Sequence, residues 1–533
     1  MNHSKEKTLG DLLDALRADL SITDPSYVGG RTFPSLAAED RSKAVRGITA
    51  DSRKVKPGFV YVAVCGVTLD GHHFIGEALQ KGAVFVIGSE DRPEPQYLQV
   101  STPSRALGIL AAEFYGNPAR SLWVLGVTGT SGKTTTTYVL ESILVAAGKK
   151  VGLIGTVECR VGDQVWESTH TTPGAVELQH LLRQMVDLQC DVVVMEVSSH
   201  ALKQDRVAGI GFDGAIFTNL TPEHLDYHPD LEDYYQSKAR LFREWADDAR
   251  RMGKKPVAAI GLGDAFGRRL LEQDHQVETA IGFGALSPHL NPSDLDVTLS
   301  GIAGRLLGIP IRSDLIGTFN ALNLLGAIGL STLLDLDPLD IARGVERLKG
   351  VPGRLERIEN QRGIHAFVDY AHKPDALRNV LETINSILQP MNSEQGSFPA
   401  SKSRSRLVTV FGCGGDRDRQ KRPVMGRIAA EMSDFLILTN DNPRTEDPLQ
   451  ILSEIIAGIL PGSRAGVPEV IPDRPKAIHL ALERAAPGDV VLVAGKGHEN
   501  YQILLDPNAP PELKQTLKVP MDDRELMRTF LMS

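Results

Sequence analysis

The stretch GVTGTSGKTTTTYVLE, residues 126–141, constrains the fold more than any other part of the chain. An apolar run, LWVLGV, leads into it. A loop of small residues follows, and TTTTYVLESILVAAG then reads as a helix. In a strand–glycine loop–helix unit, backbone N–H groups curve around a phosphate and the helix N-terminus adds positive potential. The loop residues are Gly129, Thr130, Ser131, Gly132, Lys133, Thr134 and Thr135. Lys133 is placed to reach the outer phosphates, and the Thr134 hydroxyl to ligate Mg²⁺. Val127 stands where the common phosphate-loop pattern has a glycine. We assign Val127 to the strand and the turning roles to Gly129 and Gly132. Alone, the loop implies a bound nucleotide and no more; a glycine-rich turn without a ligand is the alternative.

Short apolar runs alternate with helical periodicity on both sides of this unit. FVYVAV (59–64) and AVFVIG (83–88) precede it. DVVVMEV (191–197), GAIFTNL (214–220) and KPVAAIGLG (255–263) follow it. HAFVDYA, LVTVFGCGG, DFLILTND and DVVLVAGKG repeat the alternation near the end. This pattern predicts an α/β fold with mostly parallel sheets and ligand loops at the carboxyl ends of the strands. FYGNPARS (114–121) and LKGVPGRLE (348–356) read as boundaries, which divides the 533 residues into domains at 1–118, 119–350 and 351–533. The expected architecture is an α/β N-terminal domain, a central parallel sheet of P-loop ATPase type, and a Rossmann-like doubly wound C-terminal domain. QPMNSEQGSFPASKSRSR (389–406) is polar and of low complexity, and reads as a disordered surface insertion.

Composition excludes more than it selects. Net charge is −9, so nothing predicts binding to nucleic acid or to an anionic membrane. No segment offers the ~18 consecutive apolar residues of a membrane span. The first residues, MNHSKEKTLGDLLDAL, lack a signal-peptide core and read as an amphipathic helix. The cysteines at 65, 159, 190 and 413 lack metal-ligand spacing, and three sit in or beside apolar runs as buried thiols would. A reducing cytoplasm is the expected compartment.

Two further loops carry chemistry. MEVSSH puts Glu196 at a strand end, followed by Ser198, Ser199 and His200. NLTPEHLDYH puts Glu223, His224, Asp226 and His228 just past another strand. Both loops should open on the edge that carries the phosphate loop. Glu196 and His224 could then hold a cation beside a γ-phosphate. A surface or core role for either residue alone is the alternative. Lys238, in YYQSKARLF, reads by default as a solvated helix lysine.

GTSGKTTT, MEVSSHAL, TNLTPEHLDYH, GTFNALN and GVPGRLE together resemble the Mur ligases, the ATP-dependent amide ligases of peptidoglycan precursor synthesis. Their loop is a GTxGKT(T/S) variant, which accounts for Val127. DSRKVKPGFVYVAVCG, THTTPGAVEL, DNPRTEDP and GKGHE are similar to those members that add the third residue of the stem peptide. The resemblance implies that the N-terminal domain binds the UDP part of UDP-MurNAc-L-alanyl-D-glutamate through Ser52 and the loop 67–69. It implies that Thr171, Thr172, Ser198, Gln204 and Arg206 line the channel for the muramoyl dipeptide. Glu196 and His224 match Mg²⁺ ligands, and Lys238 matches the lysine that the family carbamylates into a further anionic ligand. Asn320 and Asn323 match a segment near adenine; Arg354 and Asp369 match residues near the ATP phosphates and ribose. Lys373 stands where the family commonly has threonine.

The implied reaction turns the D-glutamyl γ-carboxylate into an acyl phosphate at the expense of ATP, and an amine then displaces phosphate. Lys133, Glu196, His224 and Lys238 are the implied catalytic group. Closure of the third domain would keep the acyl phosphate from water. For the amine, the resemblance assigns Asp441, Asn442, Pro443, Arg444, Gly495 and Glu499, helped by Arg417. A guanidinium at Arg444 can grip the distal carboxylate of meso-diaminopimelate, which lysine lacks, while Glu499 takes the distal ammonium. Read without the resemblance, DNPRTEDP is first a turn before a helix N-terminus, and DRDRQKR first a solvated loop. A lysine-adding relative, another Mur or folylpolyglutamate ligase, and a non-catalytic scaffold remain the alternatives. A monomer is expected, since no exposed apolar stripe suggests assembly.

Overall fold

The computed structural model describes residues 7–19, 37–66, 69–166, 170–393, 405–510 and 513–532. The chain forms two compact units, Met1–Asn291 with Leu322–Gly344, and Pro292–Ala321 with Val345–Ser533. The first unit holds two sheets. β1 (Gly47–Thr49), β2 (Phe59–Val62), β3 (Phe85–Gly88) and β4 (Tyr97–Gln99) pair in sequence order, all parallel. The helix Leu9–Ala18 is set by a capping box in which Thr8 and Asp11 satisfy each other's backbone N–H groups. Its buried Leu9, Leu12, Leu13 and Leu16 join the core of this sheet.

The larger sheet runs through β5 (Trp123–Thr128), β6 (Val151–Ile154), β7 (Cys159–Val161), β8 (Gln164–Trp166), β9 (Val192–Glu196), β10 (Gly214–Phe217), β11 (Val257–Gly261) and β12 (Thr279–Phe283). Its spatial order is β12-β11-β10-β5-β9-β6-β7-β8. β5 lies between β10 and β9, parallel to both. Burial on both faces explains why VVVME and GAIF read as unbroken apolar runs. It also puts the carboxyl ends of β5, β9, β10 and β6 on one edge.

The second unit begins with an antiparallel sheet of β13 (Leu295–Thr298), β14 (Gly301–Leu306) and β15 (Ile309–Ser313). β16 (Glu356–Ile358), β17 (His365–Asp369), β18 (Leu407–Phe411), β19 (Phe435–Leu438), β20 (Glu469–Val470) and β21 (Val490–Ala494) follow, in the order β16-β17-β21-β18-β19-β20. Only β16 is antiparallel to its neighbour. β22 (Tyr501–Leu505) and β23 (Thr516–Pro520) pair as an antiparallel hairpin. The expected α/β class with parallel sheets is observed. The surface insertion is corrected at its start: the helix Pro374–Ser393, anchored by buried Ile384, Ile387 and Leu388, runs through 389–393 and past Pro390, with no glycine to stop it before Ser393. Residues 394–404 of that segment, and Val67 and Thr68 of the loop assigned to the UDP substrate, lie outside the described residues. Cys159, Cys190 and Cys413 are buried free thiols and Cys65 is exposed. Among the described residues no helix is long and apolar enough to cross a membrane.

Candidate active site

Val127 is a strand residue. It is buried in β5 and pairs in register with Glu196 on one side and Ile216 on the other. The turn begins after Thr128. Gly129 has φ +147, and a Cβ there would lie 1.9 Å from Thr218 Oγ1. Gly132 has φ +87, and its Cβ would lie 2.3 Å from Asn323 Oδ1. Both positions need glycine for conformation and for space. The loop is tied down from β10 and the residues after it. Asn219 Oδ1 accepts the Ser131 N–H at 3.0 Å, the Asn219 carbonyl accepts the Thr130 N–H at 2.9 Å, and Thr218 Oγ1 donates to the Ser131 carbonyl at 2.6 Å. Lys133 opens the helix Lys133–Ala146, and its Nζ donates to the carbonyls of Gly129 (3.0 Å) and Thr130 (2.9 Å). The ammonium therefore lies across the mouth of the loop.

Glu196, at the end of β9, is 1% exposed and held by three donors. Thr134 Oγ1 (3.0 Å) and the Thr156 N–H (2.9 Å) reach Oε1, and Thr156 Oγ1 (3.0 Å) reaches Oε2. A Cβ on Gly155 would lie 2.7 Å from Oε1, so glycine there makes room for the carboxylate. A buried carboxylate with hydroxyls converging on it is an oxygen donor set that suits a hard divalent cation.

His224 follows β10 in a left-handed conformation, φ +58, its Nε2 3.8 Å from Glu223 Oε1. Its ring meets His200 edge-on at 5.0 Å and Tyr234 at 6.1 Å. Tyr234 Oη lies 3.2 Å from Thr130 Oγ1 and links this loop back to the phosphate loop. Lys238, in the helix Leu231–Ala239, is 1% exposed, not the solvated residue that its surroundings in sequence suggest. Its Nζ donates to the Gly129 carbonyl at 2.8 Å and sits 4.6 Å from the Tyr234 ring centre. Burial first, and then the charge of Lys133, drive its ammonium well below the usual lysine range. Lys238 is thus a buried amine whose charged form is disfavoured. Among the described residues the only close cluster of three imidazole or carboxylate ligands is Asp70, His72 and Glu90. There His72 Nδ1 is bonded to Asp70 and Nε2 accepts the Ser89 N–H, so no nitrogen lone pair is left for a metal. Glu196, His224 and unmodified Lys238 do not make such a cluster by themselves.

The residues assigned to the muramoyl dipeptide form one network. Thr171 Oγ1 lies 3.0 Å from Thr156 Oγ1 and donates to it, since the one Thr156 hydroxyl proton goes to Glu196. Thr172 Oγ1 donates to the Glu196 carbonyl (2.8 Å) and accepts the Ser198 N–H (3.1 Å). Arg206 donates to the Thr172 carbonyl (2.9 Å) and, through Nε (3.0 Å) and Nη2 (2.7 Å), to Gln204 Oε1. Gln204 in turn donates to Tyr227 Oη at 3.0 Å. Ser52 lies in the N-terminal sheet's layer, bonded to Glu77 at 3.4 Å, with its carbonyl accepting from Lys81.

In the second unit the strand ends of β17, β18, β19 and β21 carry the other assigned groups. Asp369 closes β17, in register with Ala494. Its carboxylate accepts the N–H groups of Leu355 (2.6 Å) and Ala371 (2.8 Å), while burial raises it above the usual carboxylate range. Arg354 stacks over Tyr370 at 4.9 Å, next to Leu355 with φ +45. Asn320 is buried and donates to the Ile316 carbonyl at 2.8 Å. Arg444 has φ +53 and is half-buried; its Nη1 donates to the Gly415 carbonyl at 2.8 Å. Arg417 is exposed, its Nη1 3.1 Å from the Asp416 carbonyl. Asp441 and Asn442 are buried, and Asn442 Nδ2 donates to Glu499 Oε2 at 3.1 Å. Pro443 is buried in the same turn, and Gly495 has φ +118. Left-handed backbone is uncommon for such residues; His224, Leu355 and Arg444 are three of the ten described non-glycine residues that adopt it.

Sequence reasoning missed Thr156, Asn219, Tyr234 and Lys496. Thr156 follows β6, whose apolar run is interrupted by Gly152 and ended by Gly155, so its place on the ligand edge stayed hidden. Asn219 and Lys496 lie inside quoted motifs, and only partner distances single them out.

Comparison with known proteins identifies the family. Three family models match in order: "Mur ligase family, catalytic domain" at 44–115, "Mur ligase middle domain" at 127–331, and "Mur ligase, glutamate ligase domain" at 353–497. A UDP-N-acetylmuramoyl-L-alanyl-D-glutamate–2,6-diaminopimelate ligase of Geobacter metallireducens is 43% identical, covering 95% of this chain and 96% of that one. A ligase of the same name from Gloeobacter violaceus is 44% identical, covering 91% of this chain and 94% of the relative. A solved structure of a ligase of that name superposes with a TM-score of 0.67 at 29% identity, covering 95% of this chain and 97% of the other. With likeness of this extent at both levels, the chain belongs to the Mur ligase family.

Proposed function

We propose that this protein is an ATP-dependent ligase that joins an amine of meso-diaminopimelate to the D-glutamyl γ-carboxylate of UDP-MurNAc-L-alanyl-D-glutamate. The observation that carries this reading is the 43% identity, over 95% of the chain, to a ligase named for that reaction. The site residues, the three-domain division at 1–118, 119–350 and 351–533, a cytoplasmic setting and a monomeric state belong to the same proposal.

The loop amides of residues 129–135 and Lys133 would cradle the ATP phosphates, with the N-terminus of the helix Lys133–Ala146 behind them. The γ-carboxylate oxygen attacks the γ-phosphorus, the bond to the β-phosphate oxygen breaks, and ADP leaves. The amine then attacks the acyl carbon, loses a proton, and expels phosphate carrying one former carboxylate oxygen. No protein nucleophile is required. Thr172, Gln204 and Arg206 orient the dipeptide so that its carboxylate meets the phosphate in line. Thr134, Glu196, His224 and carbamylated Lys238 would hold Mg²⁺, which neutralises phosphate charge when bound. Carbamylation needs a neutral amine, which burial of Lys238 favours: its Nζ would bond to the carbon of CO₂ and release one proton.

The test is an amine panel with ATP, Mg²⁺, bicarbonate and UDP-MurNAc-L-alanyl-D-glutamate. The expected result is ADP release that requires the dipeptide substrate and is fastest with meso-diaminopimelate. Preference for lysine would overturn the acceptor assignment, and no release with any amine would overturn the whole reading.

A further inference from the structure

Lys496 lies within GKGHE and is completely buried, yet no step above uses it. Its Nζ lies 2.9 Å from Asn442 Oδ1, 3.3 Å from Glu499 Oε2 and 3.5 Å from Asp441 Oδ1. All three belong to the proposed amine crevice. Asn442 Oδ1 also accepts the Ile503 N–H at 2.9 Å, so its amide is oriented with Nδ2 toward Glu499. Glu499 Oε2 therefore faces inward, onto Lys496 and Asn442. Oε1 accepts no hydrogen bond among the described residues and is the oxygen left for an incoming ammonium. Two other buried cations nearby are committed elsewhere: Arg474 pairs with Asp523 at 2.8 and 2.7 Å and donates to the Asn440 and Ala494 carbonyls, and Arg422 pairs with Glu446 and Glu454 and donates to the Gly414 carbonyl.

We propose that Lys496 is a positioning and specificity-determining residue: it fixes the Glu499 carboxylate and sets the crevice charge so that a zwitterionic side-chain end is preferred to a simple cation. This rests on the function proposed above. Asp441 and Glu499 are two anions; Lys496 and half-buried Arg444 are two cations, so these four groups balance, while Arg417, assigned to the same crevice, is exposed and its charge is screened by solvent. The distal end of diaminopimelate, an ammonium and a carboxylate, keeps it neutral. The single ammonium of lysine adds an uncompensated positive charge, which is costly where water is excluded. Without the Lys496 charge this electrostatic contribution changes sign, since lysine then completes neutrality and diaminopimelate leaves one excess anion, while the Arg444 grip on the distal carboxylate remains.

The experiment compares the full-length wild type with Lys496→Met and Lys496→Gln. Kinetics are run with diaminopimelate and with lysine, together with thermal melts. The expected result is a KM for diaminopimelate raised by about tenfold or more, and a diaminopimelate-over-lysine ratio of kcat/KM lowered by at least about tenfold. KM for ATP and for the UDP substrate should stay within about twofold. If Lys496→Met does not fold, Lys496→Gln decides, because it can still donate to Asn442 but carries no charge. An unchanged ratio in a folded variant overturns the proposal. So does a uniform change in every parameter, or loss of a cooperative transition in both variants, which would make the role structural. A wild type that ligates diaminopimelate separates failure of this inference from failure of the proposed function. A wild type that prefers lysine, or is silent with every amine, overturns both.

Discussion

Thr156→Val probes the device that holds Glu196. Valine matches threonine in shape but lacks the hydroxyl, so the 3.0 Å bond to Glu196 Oε2 is deleted while the 2.9 Å backbone bond to Oε1 remains. The acceptor is a carboxylate that is 1% exposed, so water cannot readily replace the lost donor. A hydrogen bond to a charged group contributes about 1.5–3 kcal/mol, and the buried acceptor places the expected loss toward the upper half of that range. The deleted group also bridges to Thr171 Oγ1 at 3.0 Å, which couples Glu196 to the proposed dipeptide channel. Urea unfolding of ligand-free wild type, Thr156→Val and Thr156→Ser measures the effect. The valine variant should lose about 2–3 kcal/mol with an unchanged denaturant slope, and serine should restore most of it. Half-maximal Mg²⁺ for ATP turnover should rise for valine only. A valine variant within about 0.5 kcal/mol of wild type would refute the assignment of Thr156 as a support for Glu196.

Gly132→Ala meets Asn323 Oδ1 at 2.3 Å and forces φ +87 on an L-residue, so a loss of about 1–2 kcal/mol from backbone strain alone, and a raised KM for ATP, are expected by thermal melting and kinetics. Lys238→Met should fold, since it fills an already buried site, yet lose ligation by at least about a hundredfold; ¹³C-bicarbonate NMR should show a carbamate signal in wild type that the variant lacks. His498 is held down to about 4 by burial, then by Arg354, Arg524 and His372, against an ordinary value of 6.5. The unfolded chain therefore binds a proton that the folded chain refuses between pH 6.5 and 4, and stability falls as pH drops through that window. His498→Phe keeps a ring against Tyr370 and should remove roughly 2–3 kcal/mol of this acid sensitivity, measured by denaturant titration across the window.

The parallel sheets were legible because strands buried on both faces must be apolar throughout, as in VVVME and VVLVA. The short antiparallel strands were not. β7 and β8 have three residues each, and β15 alternates buried and exposed positions, so none leaves an apolar run. The phosphate loop was readable since its glycines answer local demands, made explicit by Thr218 and Asn323. Lys238 was not: its burial comes from Gly129 and Tyr234, 109 and four positions away in the chain. Lys496 was hidden for the same reason, because its oxygen partners Asp441 and Asn442 come from another strand end.

Isotope transfer follows the activated carboxylate oxygen itself. UDP-MurNAc-L-alanyl-D-glutamate labelled with ¹⁸O in both γ-carboxylate oxygens is turned over with unlabelled ATP and diaminopimelate, and the inorganic phosphate is analysed by mass spectrometry. An acyl phosphate requires one ¹⁸O in each phosphate released, with the other retained in the new amide. Unlabelled phosphate, or label appearing in AMP, would contradict the account.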